Sequence, residues 1–209
     1  PLHQGTTSPI PKTKILLTGA SGFVGGHLIA ALRDSYDLHA ISQSSRGIEG
    51  IEQVYTWEKI SVISGPFDAV IHMAGLAHDT QNKREEADYF AVNVGLTEKL
   101  LERLNKWNTN TFVYLSSVKA VVDSTSSNVL TEESTSIAQN VYGRSKLEAE
   151  QLILASNEVQ SMVVLRPVLI YGKGQKGNLN TLHKLIDKGV WFPFKNWVNS
   201  RSVLSINNL

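Results

Sequence analysis

The feature that most constrains this chain is a set of glycines placed directly after a short apolar segment. The segment Lys14–Thr18 predicts a β-strand, and Gly19, Gly22 and Gly25 follow it at three-residue intervals. From Phe23 onwards apolar residues recur with helical spacing, which predicts a helix. Glycines in this setting permit a tight turn through which the backbone approaches a phosphate, and the helix start offers that phosphate free N–H groups. The pattern therefore predicts a phosphate-binding loop between a strand and a helix.

Strands and helices alternate along the chain beyond this loop. Further strands are predicted at Leu38–Ile41, Gln53–Tyr55, Ala69–His72, Thr111–Leu115 and Met162–Leu165, and helices at Phe23–Arg33, Glu85–Asn105, Tyr142–Ser156 and Leu179–Lys188. This alternation predicts an α/β fold, a doubly wound parallel sheet of the Rossmann type. The strands are almost continuously apolar, as expected when helices cover both faces of the sheet.

The domain organisation follows from where this alternation begins and ends. Residues 1–13 are polar and contain three prolines, and we expect them to be a leader or an expression remnant. Residues 14–172 are predicted to form a dinucleotide-binding domain. In residues 173–209 the pattern changes to a glycine loop, one helix and an aromatic stretch; the family resemblance given below implies that this is only the start of a small C-terminal substrate domain.

Composition excludes several classes of function. The 209 residues include 20 basic and 19 acidic side chains with no basic block, so we expect neither nucleic acid nor a membrane surface as a partner. Cysteine is absent, which excludes disulfides and thiolate chemistry and fits the cytoplasm. No apolar run approaches the roughly 18 residues of a membrane span. His72 and His78 have no matching carboxylate cluster, so we expect no catalytic metal.

A serine, a tyrosine and a lysine suggest proton-transfer chemistry. Ser117 follows the predicted strand Thr111–Leu115, and Tyr142 precedes Lys146 by one helical turn. A free tyrosine titrates near ~10, and a neighbouring cation lowers that pKa by stabilising the phenolate. Tyr142 could then exchange a proton with a hydroxyl or carbonyl oxygen as hydride moves, while Ser117 orients that oxygen. Tyrosine and lysine share this spacing on many helices, so the preceding serines and the glycine loop carry the prediction.

The expected ribose-binding position leaves the cofactor open between NAD and NADP. An acidic residue at the end of the second strand would bind the adenosine ribose hydroxyls, but Ser42 stands there and Arg46 follows. Small hydroxyl side chains and an arginine suit a 2′-phosphate, which favours NADP. In the alternative interpretation Arg46 is a solvated loop charge.

Together these motifs resemble the extended short-chain dehydrogenase/reductase family, the NAD-dependent epimerase/dehydratases of nucleotide sugars. The resemblance rests on T-G-A-S-G-F-V-G at Thr18–Gly25, D-A-V-I-H-M-A-G at Asp68–Gly75, Asn93, Ser116–Ser117, Y-G-R-S-K at Tyr142–Lys146 and L-R-P-V-L-I-Y-G at Leu165–Gly172. It implies that cofactor contacts come from Gly19, Gly22, Phe23, Val24, Gly25, Ala74, Gly75, Asn93, Lys146, Pro167 and Val168. It implies a catalytic set of Ser117, Tyr142 and Lys146. Ser42 and Arg46, predicted above as cofactor contacts, depart from the family, which has an acidic residue at the position of Ser42.

The resemblance also implies a nucleotide-sugar substrate. Ser117 and Tyr142 would touch the sugar, Asn178 the diphosphate, Arg201 a phosphate and Phe192–Phe194 the base. The alternatives for these positions are a solvated arginine and an aromatic core cluster. The resemblance further implies a possible homodimer through the helices Glu85–Asn105 and Tyr142–Ser156.

The residues after Ser117 narrow the reaction. Dehydratases of this family carry an Asp-Glu pair there, whereas this chain has Val118 and Lys119. The stretch resembles instead the UDP-hexosamine 4-epimerases and 4-ketoreductases used in surface polysaccharide synthesis. Thr56 and Trp57 stand where the family has an acidic residue near the adenine. Two alternatives stay open: a dinucleotide-binding regulatory or non-catalytic member, and a reductase of a non-sugar carbonyl.

Overall fold

A computed structural model describes residues 12–77, 84–123, 129–175, 184–189 and 201–209. Its main sheet has six parallel strands: β1 Lys14–Thr18, β2 Asp37–Ser42, β3 Gln53–Thr56, β4 Ala69–His72, β5 Thr111–Leu115 and β6 Ser161–Leu165. The spatial order is β3-β2-β1-β4-β5-β6, which confirms the predicted doubly wound sheet. The winding reverses between β1 and β4, and in such sheets ligands bind outside the carboxyl ends of the strands at this point.

Helices cover both faces of the sheet. They are α1 Phe23–Leu32, α2 Glu86–Asn93, α3 Gly95–Leu104 and α4 Val141–Ala155. Along β1, Ile15 and Leu17 join a cluster with Ile29 of α1, while Leu16 points the other way into a cluster with Leu100 of α3 and Ile153 of α4. This division explains why β1 reads as continuously apolar.

The single helix predicted at Glu85–Asn105 is wrong, because the structure has α2 and α3 in its place. The Thr97 hydroxyl donates to the Asn93 carbonyl at 2.7 Å, and Gly95 starts the second helix. Side-chain bonds of this kind bend helices, and glycine is a poor helix former. The bend places Asn93 at the end of α2, where its side chain is fully buried.

A second, two-stranded parallel sheet pairs β7 Leu169–Tyr171 with β8 Val203–Ser205. The sequence did not predict it, since three residues are too few to show a period. A 3₁₀ turn, Ile206–Asn208, follows β8 and places Ile206 against Gly172: a methyl group added at Gly172 would lie 3.2 Å from the Ile206 Cβ and 3.7 Å from the Phe23 Cζ.

Part of the predicted C-terminal region lies outside the described residues. Of the helix expected at Leu179–Lys188, residues 184–188 are described; residues 184–187 are helical and Lys188 lies in a turn. Asn178, Phe192–Phe194 and His78 are not among the described residues. No helix in the described part of the chain is long and apolar enough to cross a membrane.

Candidate active site

The glycine loop connects β1 to α1 at the point where the sheet winding reverses. Gly19 has φ +71°, and the Gly22 N–H donates to its carbonyl at 2.9 Å, which closes a tight turn. Gly22 caps α1 without a side chain, and the first turn of this helix contains no acidic residue. The N–H groups of Phe23 and Val24 therefore begin the helix without a competing carboxylate, an arrangement that suits a pyrophosphate.

Gly25 allows α1 to pack directly on the loop. A methyl group added there would lie 2.7 Å from the Ala20 Cα and would overlap the Gly19 carbonyl oxygen. Gly26, the next residue of the same helix, has no atom within 4 Å of the corresponding position. The loop therefore leaves no room for a side chain at Gly25, whereas a side chain at Gly26 would meet no such obstacle.

This difference predicts opposite results for two alanine variants. We expect Gly25→Ala to push the loop away from α1 and to lower dinucleotide affinity by at least about tenfold, which is roughly 1.4 kcal/mol. Gly26→Ala, the matched control, should stabilise the chain by about 0.5–1 kcal/mol, because alanine costs less entropy in a helix. Calorimetric titration with NAD and urea unfolding measure the two effects. Equal affinities in the two variants would contradict the packing argument.

The candidate ribose position lies beside this loop. In the parallel register Thr18 of β1 is opposite Ile41 of β2, so Ser42 is level with Gly19, the first loop residue. Ser42 is half-buried and Arg46 is exposed in the following loop. Thr56, at the end of β3, pairs in register with Ser42. The carboxyl edge here presents hydroxyl groups where a carboxylate was expected.

The segment after β4 is held close to Lys146. Asn93 accepts the Leu76 N–H at 2.8 Å and donates to the Leu76 carbonyl at 3.1 Å, which fixes the backbone following Ala74 and Gly75. A methyl group at Gly75 would lie 2.9 Å from the Asn93 Oδ1 and 3.2 Å from the Lys146 Nζ. The structure thus brings three of the sequence-predicted residues, Gly75, Asn93 and Lys146, into one place.

Tyr142 and Ser117 meet at the carboxyl end of β5. Burial raises the pKa of Tyr142 above its usual value, and a hydrogen bond with the Ser117 side chain partly opposes this shift. The lowered tyrosine pKa expected from the sequence is therefore wrong for the folded chain, because desolvation of the phenolate outweighs stabilisation by its neighbours. The Ser117 hydroxyl and the Tyr142 phenol share one hydrogen bond, so the structure brings these two side chains together.

Lys146 is buried in α4, four residues after Tyr142. Its ammonium group donates to the Leu115 carbonyl at 2.8 Å and lies 4.5 Å from the centre of the Tyr114 ring. Burial lowers the pKa of Lys146 to about 8, while the Glu150 carboxylate opposes the shift. The lysine therefore remains largely protonated at neutral pH, held by a carbonyl and an aromatic face.

The start of α4 is fixed by a polar cap that the sequence analysis did not identify. The Asn140 Oδ1 accepts the Gly143 N–H at 2.8 Å. The Asp123 carboxylate accepts the backbone N–H groups of Gln139 at 2.8 Å and Asn140 at 3.1 Å. These hydrogen bonds lower the pKa of Asp123, although burial acts in the opposite direction. The cap holds Tyr142, the second residue of the helix, beside the end of β5.

A buried ion pair behind the tyrosine and lysine was also missed. Glu150 is 1% exposed and accepts three hydrogen bonds from the Arg166 guanidinium: Nε to Oε1 at 3.1 Å, Nε to Oε2 at 3.0 Å and Nη2 to Oε2 at 2.6 Å. The Ser116 hydroxyl donates to the same carboxylate. The sequence signal was available, because Glu150 follows Lys146 at four residues and lies on the same helix face. Arg166 precedes Pro167 and Val168, so the pair joins α4 to the predicted nicotinamide-binding segment.

Two predicted contacts remain outside this arrangement. Asn178 is not among the described residues, and Arg201 is exposed just before β8. Among the residues that the structure describes, no three histidine, aspartate or glutamate side chains lie together as a metal site would require.

A family model, the NAD dependent epimerase/dehydratase family, matches residues 15–190, which include every element described above except β8 and the last 3₁₀ turn. The chain belongs to this family. Within the NAD-dependent epimerase/dehydratases, the UDP-glucose 4-epimerase of Vibrio cholerae is 31% identical over 213 residues, covering 96% of this chain and 65% of that protein. An N-acetyl-α-D-glucosaminyl-diphospho-ditrans,octacis-undecaprenol 4-epimerase of Escherichia coli O157:H7 is 27% identical, covering 93% and 60%.

The fold is shared with solved structures of the same family. A mutant UDP-glucuronic acid 4-epimerase from Bacillus cereus, in complex with UDP-4-deoxy-4-fluoro-glucuronic acid and NAD, superimposes with a TM-score of 0.75. The two sequences are 22% identical, and the match covers 93% of this chain and 69% of that one. This chain spans less than two thirds of the length of its two curated family relatives above.

Proposed function

We propose that this chain carries the cofactor-binding and proton-transfer part of an NAD-dependent 4-epimerase of a nucleotide-activated sugar. The observation that carries the proposal is that two features lie together at the carboxyl end of β5: the hydrogen-bonded pair Ser117 and Tyr142, and the Lys146 ammonium bound to the Leu115 carbonyl. Family membership and the named 4-epimerase relatives support it. Residues 173–209 would contribute the first part of the sugar-binding side.

The proposed reaction begins with a proton transfer at Tyr142. When bound, NAD supplies a hydride acceptor for the sugar C4 and can return the hydride to either face. Tyr142 takes the proton of the C4 hydroxyl and later gives it back, while the Ser117 hydroxyl holds the same oxygen. Tyr142 is half-buried at the start of α4, where its phenol shares a hydrogen bond with Ser117.

Lys146 supplies the charge that the tyrosine needs. Its pKa of about 8 leaves the ammonium charged at neutral pH. A positively charged dinucleotide ring beside Tyr142 would add to this field and lower the tyrosine pKa. The buried position of the lysine, against the Leu115 carbonyl and the Tyr114 ring, fixes the charge within the site.

Dehydration is disfavoured by the residues that follow Ser117. Val118–Ala120 forms a 3₁₀ turn in which the Lys119 N–H donates to the Ser117 Oγ at 3.2 Å. Neither Val118 nor Lys119 can provide the carboxylic acid and carboxylate that elimination of water uses. Epimerisation requires no such pair, because the only proton that moves is on the C4 oxygen.

A direct test is incubation of the purified chain with NAD and UDP-glucose or UDP-N-acetylglucosamine. We expect the C4 epimer to form, without net production of NADH, as seen by proton NMR of the sugar. Calorimetry of the same sample reports NAD binding. Binding without turnover would favour the dinucleotide-binding alternative. The absence of both binding and turnover would overturn the proposal.

A second candidate, an NADP-dependent 4-ketoreductase, is favoured by one observation. Ser42 and Arg46 stand at the ribose end of the loop, where no carboxylate repels a 2′-phosphate. A reductase would consume one reduced dinucleotide per sugar, so a 4-keto nucleotide sugar with NADPH distinguishes it from an epimerase. A reductase of a non-sugar carbonyl would instead consume NADPH with carbonyl substrates that carry no phosphate, which can be measured in the same way.

The cofactor preference predicts the effect of one substitution. If Arg46 pairs with the 2′-phosphate, Arg46→Ala should weaken NADP binding by about 1.5–3 kcal/mol, the value of a hydrogen bond to a charged group, and leave NAD binding unchanged. Arg33→Ala is the control, because Arg33 is bound to Glu49 at 3.1 Å. Calorimetric titration with both dinucleotides measures the difference. If Arg46→Ala lowers the affinities for NADP and NAD equally, or lowers neither, Arg46 is a solvated charge and NAD is the favoured cofactor.

Quaternary structure is part of the proposal. The predicted homodimer would use α2, α3 and α4, and Leu154 of α4 is 70% exposed, as a contact residue of such a dimer would be in the single chain. Sedimentation of the chain at several concentrations tests the expectation.

A further inference from the structure

A chain of buried hydrogen bonds runs from the glycine loop to the catalytic helix. The Ala74 N–H donates to the Thr18 Oγ1 at 3.1 Å, and this oxygen lies 2.6 Å from the His72 Nδ1. On the other side of the ring the His72 Nε2 lies 3.1 Å from the Thr97 Oγ1. The side chains of Thr18, His72 and Thr97 are fully buried, so each polar atom depends on its protein neighbours.

The Asn93 carbonyl decides which groups donate and which accept in the hydrogen bonds that join Thr97, His72 and Thr18. Thr97 donates its only hydroxyl proton to the Asn93 carbonyl at 2.7 Å, because a carbonyl can only accept. The Thr97 oxygen then has only lone pairs to offer, so it accepts the proton of the His72 Nε2, and the Tyr114 hydroxyl shares the same oxygen. Burial, and to a smaller extent the Lys146 charge, lower the pKa of His72 to about 3, so the ring is neutral and Nδ1 is an acceptor. Thr18 then donates to Nδ1.

The chain continues from Asn93 into α4. The Asn93 Nδ2 donates to the Ser145 Oγ at 2.9 Å, and Ser145 donates to the Tyr142 carbonyl at 2.9 Å. At the other end, Thr18 directly precedes Gly19, and a methyl group at Gly19 would lie 2.7 Å from the Ala74 nitrogen. The loop thus rests on the backbone that Thr18 holds.

We propose that His72 is a positioning residue: as the neutral Nε2–H tautomer it fixes the glycine loop and the segment after β4 relative to the helix that carries Tyr142. A histidine fits this role because its two ring nitrogens present an acceptor to Thr18 and a donor to Thr97 on opposite sides. If Thr97 no longer accepts the Nε2 proton, the proton can move to Nδ1, and the Thr18 hydroxyl must then accept a hydrogen bond where it previously donated one. The link to dinucleotide affinity rests on the proposed function, whereas the tautomer does not.

Nitrogen NMR of the chain labelled at histidine tests the tautomer directly. His72→Phe identifies the His72 signal among the six histidines. We expect an unprotonated Nδ1 and a protonated Nε2 throughout the neutral pH range, with or without NAD. An Nδ1–H tautomer or a charged ring would overturn the proposal, even if the chain binds NAD as proposed.

Thr97 variants test the positioning role without touching the loop. Thr97→Val removes the acceptor of the Nε2 proton, and we expect an altered His72 tautomer and NAD affinity lower by about 2- to 30-fold, the usual range of coupling through a buried network. Thr97→Ser keeps the hydroxyl and should preserve both. Thr109→Val is the matched control, since the buried Thr109 hydroxyl has no partner among the described residues. An unchanged NAD affinity in folded Thr97→Val would overturn the positioning role.

Discussion

Replacing Tyr142 with phenylalanine should lower the epimerisation rate by about 10²–10⁴-fold, the usual contribution of a positioned acid/base group. The ring would keep its packing between α4 and β5, so NAD affinity and stability should stay close to those of the parent. Tyr36→Phe is a matched control, because Tyr36 packs with the α1 cluster on the other face of the sheet. Sugar NMR measures the rate and calorimetry the affinity.

The informative comparison is between rate and binding in the same variant. A Tyr142→Phe chain that retains at least half of the parent rate would show that another group transfers the proton. A chain that loses NAD affinity together with the rate would indicate that the phenol contributes to folding of the site, and the proton-transfer role would lose its support.

The second large effect is expected at Glu150. Glu150→Ala removes the carboxylate that receives Arg166 and the Ser116 hydroxyl and that faces the Lys146 charge. Breaking a buried pair from one side costs about 3–5 kcal/mol. Because the Arg166 side chain is 30% exposed and can regain some water, we expect a loss near the lower end, about 3 kcal/mol. Urea unfolding measures it.

Two further variants separate charge from packing at this position. Glu148→Ala, at an exposed site on the same helix, should change the free energy of unfolding by less than about 0.5 kcal/mol. Glu150→Gln keeps the shape and one acceptor oxygen, and its loss should lie between those of the alanine variant and the parent. If Glu150→Ala and Glu148→Ala unfold at the same urea concentration, the buried pair contributes nothing measurable.

The sequence was sufficient to predict the sheet because its central strands consist mostly of apolar residues. The strands β1, β4 and β5 are of this kind, and their predicted limits agree with the structure. The Tyr142–Lys146 spacing predicted a shared helix face for the same reason, since a local period fixes it. In each of these cases the deciding information lies within a few consecutive residues.

The rest depended on contacts between distant parts of the chain. The bend at Asn93 arises from a side-chain bond of Thr97, and a helical apolar pattern passes through it unchanged. The pKa of Tyr142 follows from how deeply α4 packs on β5, which a motif does not encode. Glu150 and Arg166 are 16 residues apart and meet only because β6 adds to the sheet beside β5.

Gly172 has a consequence for chimeras made between this chain and its relatives. The space left by its missing side chain is filled by Ile206, a residue 34 positions later, and both lie next to Phe23 at the start of α1. A crossover point between residues 172 and 206 would combine residue 172 from one parent with residue 206 from the other, and the two side chains would no longer be matched in size. Recombination libraries that exchange the region after β6 should therefore take Gly172 and Ile206 from the same parent and place their junctions before β7.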